Sequence, residues 1–207
     1  MEQRRFLDIN TNPVKFPEKI LTDNELVKVI RESQSEKYQE IISRYQGKLF
    51  AYLYRLVGNR EEAEDLLQDV FIKVYRNLRS YDDQRKFSSW IYRIAHNEAI
   101  NHIKRRYLKK FVSWEDLNST KDKLETSNLE DGPAETWIKK ETVKDIDAAV
   151  GRLPLKYRQV LLLRYFSDKS YDEISEILGK PLNTVGTLIN RAKKKLAEEI
   201  KKDKKFQ

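Results

Sequence analysis

The chain has 207 residues, enough for one compact domain or two small ones, and carries 41 Lys and Arg against 33 Asp and Glu, a formal charge of +8. That balance favours a polyanion or an acidic protein surface as partner. With only 6 Gly and 5 Pro the composition points to helix rather than to β-sandwiches or collagen-like chains, and with no Cys neither a disulfide nor a thiolate zinc site can form, which suits a reducing cytosol.

Residues 1–20 mix charge with Pro13 and Pro17 and show no helical period, so they read as an irregular arm. The opening MEQRRFLDINTN has no apolar signal core. From Leu21 to Val57 the pattern predicts two helices. The first begins at LTDNELVKVIRES with Thr22 and Glu25 spaced as a capping box, and the second runs through YQEIISRYQGKLFAYLYRLV.

Gly58-Asn59 interrupts the pattern, and Asn59 can cap the next helix with Glu62 at its third position. Ala63, Leu66, Leu67, Val70, Phe71, Val74, Tyr75 and Leu78 then recur at three- and four-residue spacing, leaving Glu61, Glu64, Asp65, Gln68 and Asp69 on the other side. A polar loop, RSYDDQRKF, leads to a helix starting near Ser88 and running through SWIYRIAHNEAINHIKRRY. Its end is basic, with Lys104, Arg105, Arg106, Lys109 and Lys110, and a helix C-terminus itself favours cations. Trp90, beside Ile91, Ile94 and Ala95, reads as core. His96 and His102 are six apart, on different helix faces, which argues against a two-His metal site.

Periodicity fails over about 111–136, where acidic residues outnumber Lys121 and Lys123; this segment reads as a linker. A second helical block occupies about 137–200 and a basic tail 201–207. The longest aliphatic run, Val160 to Leu163, is too short to span a bilayer, so no membrane insertion is expected. The expected fold is therefore all-α, two small helical domains joined by an acidic linker.

In the second block, SYDEISEILGKPLNTVGTLINRAKKKL has the grammar of a helix-turn-helix, with a plain helical hairpin as the alternative. Ser170 and Glu173 are spaced as a capping box, Tyr171, Ile174, Ile177 and Leu178 share a face, Gly179 supplies a left-handed stop, and Pro181 and Asn183 start a new helix. Val185, Ile189, Ala192 and Leu196 would anchor that helix. Asn183, Thr184, Thr187, Asn190, Arg191 and Lys194 are then the candidates for base edges and phosphates in a major groove. No Gly-rich phosphate loop, His/Cys metal set or positioned carboxylate pair is evident, so neither an enzyme nor a cofactor site is expected.

Taken in order, EEAEDLLQDVFIKVYRNL, WIYRIAHNEAINHIKRR and LPLKYRQVLLLRYFSDKSYDEISEILGKPLNTVGTLINRAKKKL resemble the extracytoplasmic-function sigma factors of bacterial RNA polymerase, over roughly Leu21 to Ala197. The resemblance implies a sigma-two domain at 21–110 and a sigma-four domain at 137–200. It assigns Asp65, Gln68 and Asp69 to the polymerase clamp. It assigns the Ser80 to Ser88 loop, Asn97 and Asn101, with Lys104 and Arg105 on phosphates, to minus-ten recognition and melting. Sigma-four would read the minus-thirty-five element and touch the polymerase flap. An anti-sigma protein is an implied partner. Gly186 and Leu188 stand where the resemblance leads us to expect cations. That departure suits either a different minus-thirty-five sequence or help from a recruiting factor. The competing reading is a conventional helix-turn-helix regulator acting without polymerase, which leaves the first block without a role.

Overall fold

The computed structural model describes residues 21–32, 35–112 and 146–203, with no side-chain placement for 109–112 and 203. The expected arm at 1–20, the linker from 113 onward, the start of the second block at 137–145 and the last residues of the tail lie outside these, as do the side chains of Lys109 and Lys110. Among the described residues the structure is helical with no strand, as the pattern predicts.

Helix α1 (Asp23–Glu32) starts at the Thr22 capping box. The Thr22 N–H donates to Glu25 Oε2 at 2.8 Å and the Glu25 N–H to Thr22 Oγ1 at 3.3 Å. A 3₁₀ turn, Ser35–Lys37, leads into α2 (Tyr38–Val57), which stops where Gly58 takes φ 79, a left-handed position that glycine occupies without strain. Asn59 caps α3 (Arg60–Asn77) by accepting the Glu62 N–H at 2.9 Å. Helix α4 (Phe87–Val112) follows the loop and completes the first unit. Leu26, Ile41, Leu49, Leu53, Leu56 and Ile91 are wholly buried where these helices meet, each stabilising the fold by about 1.5–3 kcal/mol.

The second unit begins with helix α5 at residues 146–152. Helix α6 (Leu155–Leu161) widens into a π-helical turn over Leu162–Phe166, in which the Ser167 N–H reaches back to the Leu162 carbonyl at 3.0 Å. Short α7 (Tyr171–Leu178) ends at Gly179, φ 60, and α8 (Leu182–Asp203) crosses it, which is a helix-turn-helix rather than an isolated hairpin. Helix α8 starts from the Pro181 carbonyl, which accepts the N–H groups of Thr184 and Val185.

The two units do not stand apart. Their buried side chains form one continuous cluster, with α7 against α4 and the end of α6 against α2. Polar contacts secure the junction. Arg55 of α2 forks onto Asp147 of α5 at 3.1 and 3.3 Å, and Arg158 of α6 donates to the Leu56 carbonyl at 3.2 Å, capping the C-terminal end of α2. The Lys169 ammonium sits 4.6 Å from the centre of the Tyr92 ring.

Candidate polymerase and nucleic-acid interfaces

Three surfaces carry the predicted residues. On α3, burial of Ala63, Leu66, Val70, Phe71 and Val74 turns Asp65, Gln68 and Asp69 to solvent along the opposite stripe. Two residues depart from expectation. Tyr75, placed by its period on the apolar face, is 49 % exposed and rests edge-on against Tyr38, an aromatic contact at the margin of the buried stripe. Glu62 does not complete a capping box. Its carboxylate takes Arg106 of α4 at 3.1 Å and lies 2.9 Å from His102 Nε2, a charged partner outcompeting a backbone N–H. Arg106 is thereby removed from the outward basic cluster. Ile72, 49 % exposed and one turn beyond Gln68 and Asp69, extends this face, and its place in an otherwise polar stripe was the available sequence signal.

The second surface is the loop before α4 and the outward side of that helix. The loop's course is fixed by α1. Asn24 Nδ2 donates to the Asp83 and Arg85 carbonyls at 2.9 and 3.3 Å, the Tyr81 hydroxyl donates to Asn24 Oδ1 at 2.8 Å, and Arg31 Nε donates to the Leu78 carbonyl at 2.8 Å. Between them lies a cleft of about 410 Å³ lined by Thr22, Asp23 and Asn24 on one side and Gln84 to Ser88 on the other. Trp90 is half-buried rather than wholly core, packed on Tyr81 and Phe87 with ring centres at 5.1 and 5.6 Å. Asn97, Asn101, Lys104 and Arg105 are all exposed on one stripe of α4, and exposed Arg93, one turn before Asn97, extends it by the same four-residue step. His96 points the other way, buried, with Nδ1 2.9 Å from the Tyr52 hydroxyl; burial lowers its pKa to about 4, so the ring is neutral.

The third surface is the outward side of α8. Val185, Ile189 and Ala192 are wholly buried and Leu196 half-buried, which leaves Asn183, Thr184, Thr187, Asn190, Arg191 and Lys194 exposed. The Thr187 hydroxyl donates to the Asn183 carbonyl at 2.9 Å. Leu188 is half-buried against the core, so that position suits an apolar side chain. Gly186 faces Tyr171, whose ring edge would lie 3.8 Å from an added Cβ, an ordinary contact. The preceding α7 has its full capping box, Ser170 N–H to Glu173 Oε2 at 2.9 Å and Glu173 N–H to Ser170 Oγ at 3.2 Å.

The second and third surfaces meet. Arg85 Nη1 donates to Glu176 Oε1 at 3.2 Å, and Glu173 Oε1 lies 3.5 Å from Ser88 Oγ and 3.7 Å from Lys86 Nζ, so α7 touches the basic rim of the loop, whose Arg85 and Lys86 stay exposed. Burial raises the Glu173 pKa, but the Ser170 N–H and Lys169 outweigh it and the net shift is downward, keeping the carboxylate charged.

The structure thus has two helical units, the second bearing a helix-turn-helix and the first a cleft beside a basic helix, an arrangement suited to nucleic acid. Sigma-70 region 2 matches residues 41–108 and sigma-70 region 4 matches residues 144–196. The chain is 33 % identical over 177 residues to the ECF RNA polymerase sigma factor SigW of Bacillus subtilis, covering 84 % of this chain and 95 % of that one. It is 28 % identical to the ECF sigma-E factor of Escherichia coli over 87 % of this chain and 95 % of that one. Its fold is similar to that of the sigma factor RpoE of Bartonella quintana, solved in complex with the anti-sigma factor NepR, at a TM-score of 0.67 and 20 % identity over 80 % of this chain and 98 % of that one. The chain belongs to the extracytoplasmic-function sigma factors, alternative sigma factors that direct RNA polymerase to promoters. A conventional helix-turn-helix regulator is not favoured, since the match to region 2 would then have no role.

Proposed function

We propose that residues 21–110 act as sigma-two and 137–200 as sigma-four, with promoter opening in the first and upstream recognition in the second. Asp65, Gln68 and Asp69 hold the polymerase clamp. Asn97, Asn101 and the Ser80 to Ser88 loop take the minus-ten strand, with Lys104 and Arg105 on its phosphates. Asn183, Thr184, Thr187, Asn190, Arg191 and Lys194 read the minus-thirty-five element, while sigma-four also touches the flap. The observation that carries this reading is the segregation of each helix: every one of these thirteen assigned side chains is exposed, opposite a buried apolar stripe.

The protein acts in the cytoplasm, where polymerase is; among the described residues no helix is long and apolar enough to cross a membrane. An anti-sigma protein restrains it, in keeping with the NepR complex of the similarly folded RpoE. A recruiting factor supplements upstream recognition, because Gly186 leaves α8 without a cation at that position. The departure at Leu188 lends this no weight, since that side chain packs inward. Replacing Asp65, Gln68 and Asp69 together by Ala should abolish co-purification with core polymerase while circular dichroism stays unchanged. Wild-type yield of the complex would sink the clamp assignment. A sharp preference of purified holoenzyme for one upstream hexamer would remove the recruiting factor.

A further inference from the structure

Helix α4 runs out of core before it ends. Ile103 is buried, and from Lys104 to Leu108 no side chain of the helix is. A polar or charged residue would serve at 108, yet the chain has a leucine there that is 65 % exposed, more than any other large apolar side chain among the described residues. Lone exposed leucines are ordinary on protein surfaces. The position of this one is what gives it a partner.

Leu108 follows Asn101 by seven residues and Asn97 by eleven, so at about 100° per residue it points within about 20° of both. Leading away from the loop, one stripe of α4 thus carries Asn97, Asn101, Lys104 and Leu108, with Arg105 beside them, all exposed, while Arg106 is drawn off by Glu62. At about 1.5 Å per residue Leu108 lies about 10 Å beyond Asn101 and about 16 Å beyond Asn97. Stacked base pairs rise about 3.4 Å each, so this end of the helix stands within about five base pairs of whatever Asn97 meets. The loop end meets the strand that is opened. Closed duplex joins that strand to the upstream element of sigma-four, and the basic end of α4, furthest from the loop, lies on it.

We infer that Leu108 is a specificity-determining residue for the duplex just upstream of the minus-ten element, where it packs on the C5-methyl group of a thymine in the major groove. This rests on the reading of α4 as the minus-ten surface. The cations of the stripe draw the duplex and fix its position, but phosphate contacts carry no sequence information. Leucine offers neither donor nor acceptor, and the thymine methyl is the one alkyl group that base edges display in that groove. Packing the two together takes both from water. A phosphate would gain nothing from this side chain.

The test is selection by wild-type holoenzyme from a pool of promoter duplexes randomised over the stretch of about five base pairs upstream of the minus-ten element. Thymine should be enriched at one of these steps, on one strand, and L108A holoenzyme should lose that enrichment. Replacing the selected thymine by uracil removes the methyl and nothing else. It should weaken equilibrium binding of wild-type holoenzyme about fourfold, the worth of one methyl-sized group taken from water, and leave L108A holoenzyme unaffected. L108K, which offers a phosphate contact instead, should hold affinity near that of wild type without regard to the methyl. Absence of an enriched thymine, uracil tolerated by wild type, or discrimination that survives L108A each overturns the proposal. So does a loss of yield when L108A is assembled with core polymerase, which would give the leucine to polymerase instead. Failure of the underlying reading looks different: K104A and R105A would then leave the salt slope of promoter binding unchanged. With uracil tolerated but those slopes lowered, Leu108 alone is misassigned.

Discussion

The outward face of α8 and the loop before α4 are both candidate DNA surfaces, yet they are built in opposite ways. The α8 side chains stand clear of the fold, presented by one helix whose inner stripe is clamped by Val185, Ile189 and Ala192. The loop is held from behind by Asn24, Arg31 and Tyr81 and from the front by α7. A duplex groove can be met by a preformed helix. A displaced strand has to be threaded along a shaped cleft, whose two walls come from separate segments of the chain.

Four measurements break or sharpen that contrast. Ile91→Ala beneath the loop and Ile189→Ala beneath α8 each empty a wholly buried site and should cost about 2–5 kcal/mol. Because the two units share one buried cluster, each change should shift a single urea transition of the whole chain. Two separated transitions, with each variant moving only its own, would show that the surfaces belong to independent bodies.

Acid should act on the first unit. His96 titrates near 4 in the fold against 6.5 for an unburied ring. The unfolded chain therefore binds the extra proton first, and stability falls as pH drops through that window, by up to about 3 kcal/mol at its lower end. His96→Gln should flatten the dependence of the urea midpoint on pH between those limits; an unchanged slope would place the acid sensitivity elsewhere.

Single contacts should differ in kind. Asn97→Ala should reduce permanganate-detected melting more than holoenzyme assembly, whereas Asn190→Ala should relax discrimination at one upstream position by about 1–3 kcal/mol and leave melting of an already bound promoter intact. Equal loss in both assays for Asn97→Ala would indicate a folding defect instead. Smallest of all, Lys104→Ala and Lys194→Ala should each weaken binding on every sequence alike and lower the salt slope by about 1, as phosphate contacts do.

What could be read in advance was local. The capping residues Thr22, Asn59 and Ser170, the left-handed stops at Gly58 and Gly179, and the stripes of α3 and α8 all depend on neighbours three or four positions away. What escaped depends on distant partners. Glu62 had a cap at hand and was taken by Arg106, 44 positions on. Arg85 and Glu176 are 91 positions apart, and nothing in either segment announces the other. Leu188 shows the intermediate case. Its angle on α8 put it near Val185, but only the packed core decides whether such a flank is wet or dry.

The π-helical turn at Leu162–Phe166 gives this chain a dependence on length rather than on chemistry. A π turn carries one more residue than the α turn it replaces. The wider turn takes up that residue, so the chain beyond it leaves in nearly the direction an α turn one residue shorter would give. Adding a residue elsewhere in α6, where no such turn absorbs it, would swing everything beyond by about 100°. The helix-turn-helix would survive intact, each hydrogen bond within it unchanged, yet Glu173 and Glu176 would face away from Arg85 and Lys86. The angular phase between the two halves thus rests on the length of α6 and the width of one turn.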